Sequence, residues 1–218
     1  MKKYELLIDD TIDVFGVTLF RIKALISFGN VAKGDLGGYV EKEGNLSHSG
    51  DAWVSGNARV SGDALVYGDA LVYGDARVYG DARVYGDAEV YGDARVYGDA
   101  WVSGNARVSG DAWVSGNARV SGDARVSGNA RVSGDALVYG DALVYGDADY
   151  IVFKNHWSSG RYFTYTKSNK MWKVGCFYGT GQELIEKAYR DSEVSGKHYE
   201  AYVEFVEKLE EITNEKHN

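Results

Sequence analysis

Between Gly50 and Ala148 the apolar positions obey one rule: Ala and Val lie two residues apart, and the pair returns every sixth residue without an insertion. Gly recurs from Gly50 to Gly146, Ala from Ala52 to Ala148 and Val from Val54 to Val144. On an extended strand Ala and Val share one face, while the variable residue between them and the Ser or Tyr that follows share the other. The Gly-Asp or Gly-Asn closing each unit tolerates positive φ, so the chain turns every six residues. Strands this short, turning the same way onto an identical inward face, bury that face by winding into a solenoid whose coils pair with those above and below. Three hexapeptides per coil predict an all-β solenoid, a triangular parallel β-helix. At roughly 4.8 Å between paired strands, residues 51–148 would build a shaft on the order of 25 Å long.

The pattern changes at both ends. Residues 1–37 carry the β-leaning apolar runs "YELLID" and "VTLFRIKALISF" and are expected to form an N-terminal β cap. The repeat region is taken as 38–149, its first units being the degenerate "GYVEKE" (38–43) and "GNLSHS" (44–49). In that register His48 falls at the inward slot of Val54. After Asp149 the period is lost, and "YIVF", "RYFTYTK" and "MWKVGCFYG" read as strands with "SNK" as a hairpin turn. Thr-Gly-Gln-Glu at 180–183 is a capping box that starts a helix. A second helix carries Tyr199, Tyr202, Val203, Val206 and Leu209 on one stripe. Residues 150–218 are thus expected to form a small α+β domain that caps the shaft or docks a partner.

Composition narrows the partners. With 28 Gly, 17 Tyr and no Pro, the chain fits one regular backbone path better than a disordered linker. The formal net charge of −8 disfavours a nucleic-acid partner, which draws on clustered Lys and Arg, and favours a protein partner of basic or amphipathic character. A single cysteine, Cys176, suits a reducing compartment, and no apolar run is long enough to span a membrane. A cytoplasmic protein is expected.

The stretches "VSGNARVSGDA" and "VYGDARVYGDA" resemble the hexapeptide-repeat solenoids. More closely they are similar to the YdcK-type β-solenoid proteins and to relatives carried by bacteriophages and prophages. The segment "LFRIKALISFGNVAKGDLGGYVEKEGNLSH" (19–48) and the block "GCFYGTGQELIEK" (175–187) look like the flanks of those phage proteins. The resemblance implies a left-handed solenoid, and the trimers common among hexapeptide solenoids make a homotrimer an option.

Hexapeptide solenoids include acyltransferases with a histidine base and anhydrases with histidine-bound zinc. Residues 51–148 contain neither His nor Cys nor any excursion from the repeat, so no catalytic residue, cofactor or metal ligand is assigned. His48 is read as a hydrogen-bonded cap residue, Cys176 as a buried structural thiol in an apolar strand, and His156, Ser158 and Arg161 as loop neighbours without triad logic. The corners carry 13 Asp and four Asn; stacked at coil spacing they could bind cations, or they simply suit the corner backbone. Eight Arg at the variable position against those Asp and Glu89 leave 8 − 14 = −6 on the shaft.

The outward columns are the informative surface. Tyr67, Tyr73, Tyr79, Tyr85, Tyr91 and Tyr97 occupy six consecutive units, placing Tyr67 beneath Tyr85, Tyr73 beneath Tyr91 and Tyr79 beneath Tyr97. With Arg77, Arg83 and Arg95 they form the candidate partner-binding surface, although cross-strand stabilisation would produce the same columns. The expected function is a non-catalytic structural or binding protein, a rigid capped spacer. The alternatives are a phage inhibitor of a host protein, acting as an acidic DNA mimic or by sequestering a signal molecule, and an acyltransferase-like enzyme.

Overall fold

The computed structural model describes residues 2–215, which divide into two compact units meeting at Asp149 and Tyr150. In the first, a hairpin of β1 (Tyr4–Val14) and β2 (Val17–Ala24) leads through β3 (Leu36–Val40) into a run of two- to four-residue strands, from β4 (Trp53–Val54) to β19 (Leu143–Val144). These strands form three parallel sheets in which each residue pairs with the one 18 positions on. Arg59 pairs with Arg77, Arg77 with Arg95, Arg95 with Trp113 and Trp113 with Arg131. The predicted β-solenoid of three hexapeptides per coil is therefore the fold observed, with one sheet per side of the prism.

Every Ala from Ala52 to Ala142 and every Val from Val54 to Val144 is buried, so the core is a set of self-stacking columns. The corner glycines from Gly50 to Gly140 all have φ between +63° and +74°. They are also crowded: a Cβ on Gly68 would lie 2.9 Å from the Gly86 nitrogen of the next coil. Conformation and space together demand Gly at these corners.

Within each parallel ladder the inter-coil hydrogen bonds run in both directions. Amides at the variable position and at the residue after Val donate to carbonyls of the next coil, as Trp53 does to Ala70 at 3.0 Å and Arg125 to Ala142 at 2.8 Å. Carbonyls at the start of the first coil and amides at the end of the last have no further coil to pair with, and side chains meet several of them. At the N-terminal end Lys3 Nζ donates to Gly50 O (3.1 Å) and Ala52 O (2.8 Å). Asn45 Nδ2 donates to Gly62 O (3.0 Å) and Ala64 O (2.9 Å), and the Tyr4 hydroxyl lies between Glu43 O and Leu46 O. At the other end the Asp147 carboxylate accepts from Arg131 N–H at 2.8 Å, and Asp149 accepts from Tyr145 and Gly146 N–H at 2.7 and 2.9 Å.

The degenerate first repeats correct the expected register. Val40 pairs with Val60 and Leu46 bridges Val66, each 20 residues on rather than 18. Two extra residues therefore sit in the corner before Trp53. Leu46, fully buried, fills the inward slot expected for His48. An aliphatic side chain continues the Val column without burying a polar ring. His48 moves to the corner, where its ring stacks on Tyr4 at 4.5 Å, Nε2 meets Glu43 Oε1 at 2.7 Å and Nδ1 accepts from Lys3 N–H at 3.2 Å.

The second unit is an antiparallel sheet of β20 (Tyr150–Lys154), β21 (Tyr162–Thr166), β22 (Met171–Val174) and β23 (Phe177–Gly179), packed with α1 (Gly181–Asp191) and α2 (Glu193–Glu215). Phe163, Trp172, Val174, Leu184, Tyr199 and Val203 form the heart of its core. The capping box is present: Thr180 N–H donates to Glu183 Oε2 at 2.8 Å, and Thr180 Oγ1 accepts from Glu183 N–H at 3.3 Å. Of the helical stripe, Tyr199, Val203 and Val206 are buried, Tyr202 is half-buried and Leu209 is exposed. Cys176 differs from expectation, being exposed in the two-residue turn between β22 and β23. The positive φ of Gly175 closes the hairpin there and turns the thiol outward. Among the described residues no helix is long and apolar enough to cross a membrane.

Candidate interaction surface

The geometry of the outer faces follows from the 18-residue register, since a residue type repeated at that interval becomes a ladder along the shaft. The three predicted tyrosine pairs stack with nearly parallel rings: Tyr67 on Tyr85 at 4.8 Å, Tyr73 on Tyr91 at 4.9 Å and Tyr79 on Tyr97 at 5.0 Å. Each pair lies on a different side of the prism, so the six residues form three short columns rather than one belt.

Two of these columns continue into Trp–Arg sandwiches that the sequence reading did not single out. Trp101 stands between Arg83 and Arg119, whose guanidinium carbons lie 5.3 and 4.4 Å from its ring centre, and meets Tyr85 edge-on at 6.2 Å. Trp113 stands between Arg95 and Arg131, each 4.9 Å away, and meets Tyr97 at 6.3 Å. The signal was available: positions 83, 101 and 119 are spaced by 18, as are 95, 113 and 131. A guanidinium over an indole face contributes about 0.5–1 kcal/mol at exposed sites. The third side is internally satisfied, because Tyr73 donates to Glu89 at 2.9 Å and Glu89 pairs with Arg107 at 3.2 Å.

Burial, joined by the Glu89 hydrogen bond, pushes the Tyr73 phenol up to about 12. Burial also raises Tyr67 and Tyr79, with the stacked Tyr neighbour adding to it. A phenol with a raised folded-state pKa favours the native state below the ordinary value near 10, and that contribution is lost as pH climbs through the raised value. The shaft is therefore expected to lose stability between about pH 10 and 12, with tyrosinate absorbance rising in the same window. Tyrosinate appearing with the melting temperature unchanged would show that the columns do not support the fold.

The corner Asp residues are exposed apart from the half-buried Asp135, and Asn interrupts their columns. Asn57, Asn105 and Asn117 donate to Asp75, Asp123 and Asp135 at 3.3, 2.9 and 3.2 Å. Among the described residues no group of three or more His, Cys, Asp or Glu is arranged to hold a metal ion. His48 is engaged in the cap. In the second unit His156 and His198 line an apolar groove of about 580 Å³ with Phe153, Trp157, Tyr202 and Phe205.

No curated protein matches the chain. A family model described as the YdcK beta solenoid repeat matches residues 52–68, 76–90, 88–104, 100–116, 112–126 and 124–140, all within the shaft. The repeat and the three-sided coil agree: the shaft is a β-solenoid whose repeats match the YdcK repeat model.

Proposed function

We propose that this chain is a non-catalytic binding protein, a rigid β-solenoid whose outward Tyr, Trp and Arg columns engage a protein partner. The observation that carries this reading is the sandwich of Trp101 between Arg83 and Arg119 beside stacked Tyr85 and Tyr67. Trp, Tyr and Arg are the residues in which binding energy concentrates at protein interfaces, and here a stiff backbone already holds them in place, which lowers the entropy lost on binding. The absence of His and Cys from residues 51–148 supports a non-catalytic role. The likeness of the flanks to phage-carried proteins supports a phage or prophage origin and a partner in the host cytoplasm. The Asn interruptions and the intervening Arg weigh against the acidic DNA-mimic alternative.

The test uses substitutions that the repeat itself tolerates, since Ser and Leu occupy the equivalent positions elsewhere in the shaft. In affinity capture from bacterial cytoplasm with quantitative mass spectrometry, the native chain is expected to retain a stoichiometric protein. The triple variant Tyr67→Ser, Tyr85→Ser, Trp101→Leu is expected to lose it while melting at a similar temperature. Equal capture by both proteins, or no stoichiometric protein with either, would overturn the reading.

A further inference from the structure

The eight shaft arginines are not equivalent. Arg83, Arg107, Arg119, Arg125 and Arg131 are exposed, whereas Arg59, Arg77 and Arg95 are half-buried. These three are successive rungs of one ladder, paired strand to strand, so like charges repeat at roughly the 4.8 Å strand spacing. Among the described residues none of the three has a carboxylate within ion-pairing distance. Partly desolvated, mutually repelling cations without a counter-charge are costly to the free protein. An anion seated against them would relieve that cost.

The same three arginines, with Tyr79 and Ser61, line a cleft of about 550 Å³ whose remaining lining comes from the β1–β2 hairpin, its tip and Leu19 of β2. That volume lies in the range of small-ligand sites. The tip contributes Val14, Phe15 and Val17. Phe15 is 99% exposed and has φ +53°, followed by Gly16 at φ +83°. Asn or Gly would occupy that left-handed position at less strain, so a Phe there is unfavourable both in its backbone and in its solvent exposure. Local rules broken together in this way mark positions kept for something other than stability. Phe15 stands at the rim of the arginine cleft.

We infer that this cleft binds a small phosphorylated molecule of the nucleoside-phosphate class. Planar guanidiniums match phosphate oxygens through paired hydrogen bonds, Phe15 and Tyr79 offer faces to a flat ring system, and Val14 and Val17 exclude water from it. A long polyanion fits less well, because the exposed Asp columns of 75 and 93 on one corner and 63, 81 and 99 on another run beside this face. Arg77, Arg95 and Tyr79 also belong to the outward columns of the protein-partner reading, but the two tests are separate: the capture variants alter the side of the prism that carries Trp101, and none of them lines the cleft.

Isothermal titration calorimetry of the full chain with ADP, pyrophosphate and adenosine tests the assignment. ADP should bind saturably, pyrophosphate more weakly, and adenosine least of all. Arg77→Leu, a residue the repeat carries at positions 65 and 71, should weaken ADP about tenfold or more with the melting transition retained. Phe15→Ala should weaken ADP roughly three- to tenfold and leave pyrophosphate unchanged. Absence of saturable binding of both ADP and pyrophosphate at millimolar concentration overturns the inference. So does ADP affinity unaffected by Arg77→Leu, or adenosine binding as tightly as ADP.

Discussion

Val96→Asp is expected to leave no cooperatively folded shaft. Val96 is fully buried in the middle of its column, paired with Val78 one coil before and Val114 one coil after. The exchange removes a side chain whose burial is worth about 1.5–3 kcal/mol. It also places a carboxylate where the surrounding atoms are Ala and Val, at a desolvation cost of several kcal/mol per ion. The sum approaches the whole stability of a typical domain, about 5–15 kcal/mol. In a solenoid the damage also interrupts the nearest-neighbour coupling between the coils on either side. Val96→Ala, which leaves a cavity without a charge, should cost about 2 kcal/mol and lower the melting temperature by roughly 4–8 °C for a chain of this size. Circular dichroism melts of the three proteins check both statements. A Val96→Asp protein that melts like the native chain would mean that the Val columns are not the core.

The second large effect is at the N-terminal end. Lys3 is 1% exposed, lies 4.6 Å from the Phe28 ring and supplies the donor for Gly50 O and Ala52 O. Burial lowers its pKa, while the nearby Asp51 and Asp69 pull it back up. In Lys3→Ala both carbonyls lose their donor, at about 1–3 kcal/mol each. With the lost packing, the first coil should be destabilised by about 3–5 kcal/mol. Lys3→Met keeps most of the volume but not the bonds, and should recover only the packing share. Because coils contact only their neighbours, hydrogen exchange should accelerate in the first coil more than in the centre of the shaft. Unchanged exchange at the amides of Asn57 and Arg59 would show that the cap does not depend on Lys3.

How much could be read from the chain alone varies with how strictly the local pattern repeats. The shaft was legible because each unit states its own geometry: Gly at the corner, Ala and Val inward, and a period that leaves no choice of partner strand. The tyrosine stacks were legible for the same reason, being arithmetic on that period. The Trp101 and Trp113 sandwiches and the Arg59, Arg77, Arg95 ladder obey the same arithmetic, and could have been found by sorting the variable position into three columns.

The misreadings fall where the period fails. Leu46 rather than His48 continues the Val column because "GNLSHS" keeps the letter of the repeat but not its hydrophobic order, and burial chose the aliphatic side chain. The apolar neighbours of Cys176 point to a strand, yet Gly175 at positive φ makes the pair a turn. In both places one residue's packing or backbone freedom outweighed the pattern around it.

The sequence by itself determined the coil, its three sides, the inward columns and the outward tyrosine ladders, since all of these depend on contacts between residues at one constant spacing. Only the tertiary structure decided how the ends are closed, with donors from Lys3, Tyr4 and Asn45 meeting bare carbonyls and carboxylates from Asp147 and Asp149 meeting bare amides. It alone brought Phe15 to the arginine cleft. The physical reason is that a hairpin's reach and a cap's partners depend on non-local contacts made once, and a contact made once leaves no period in the chain to read.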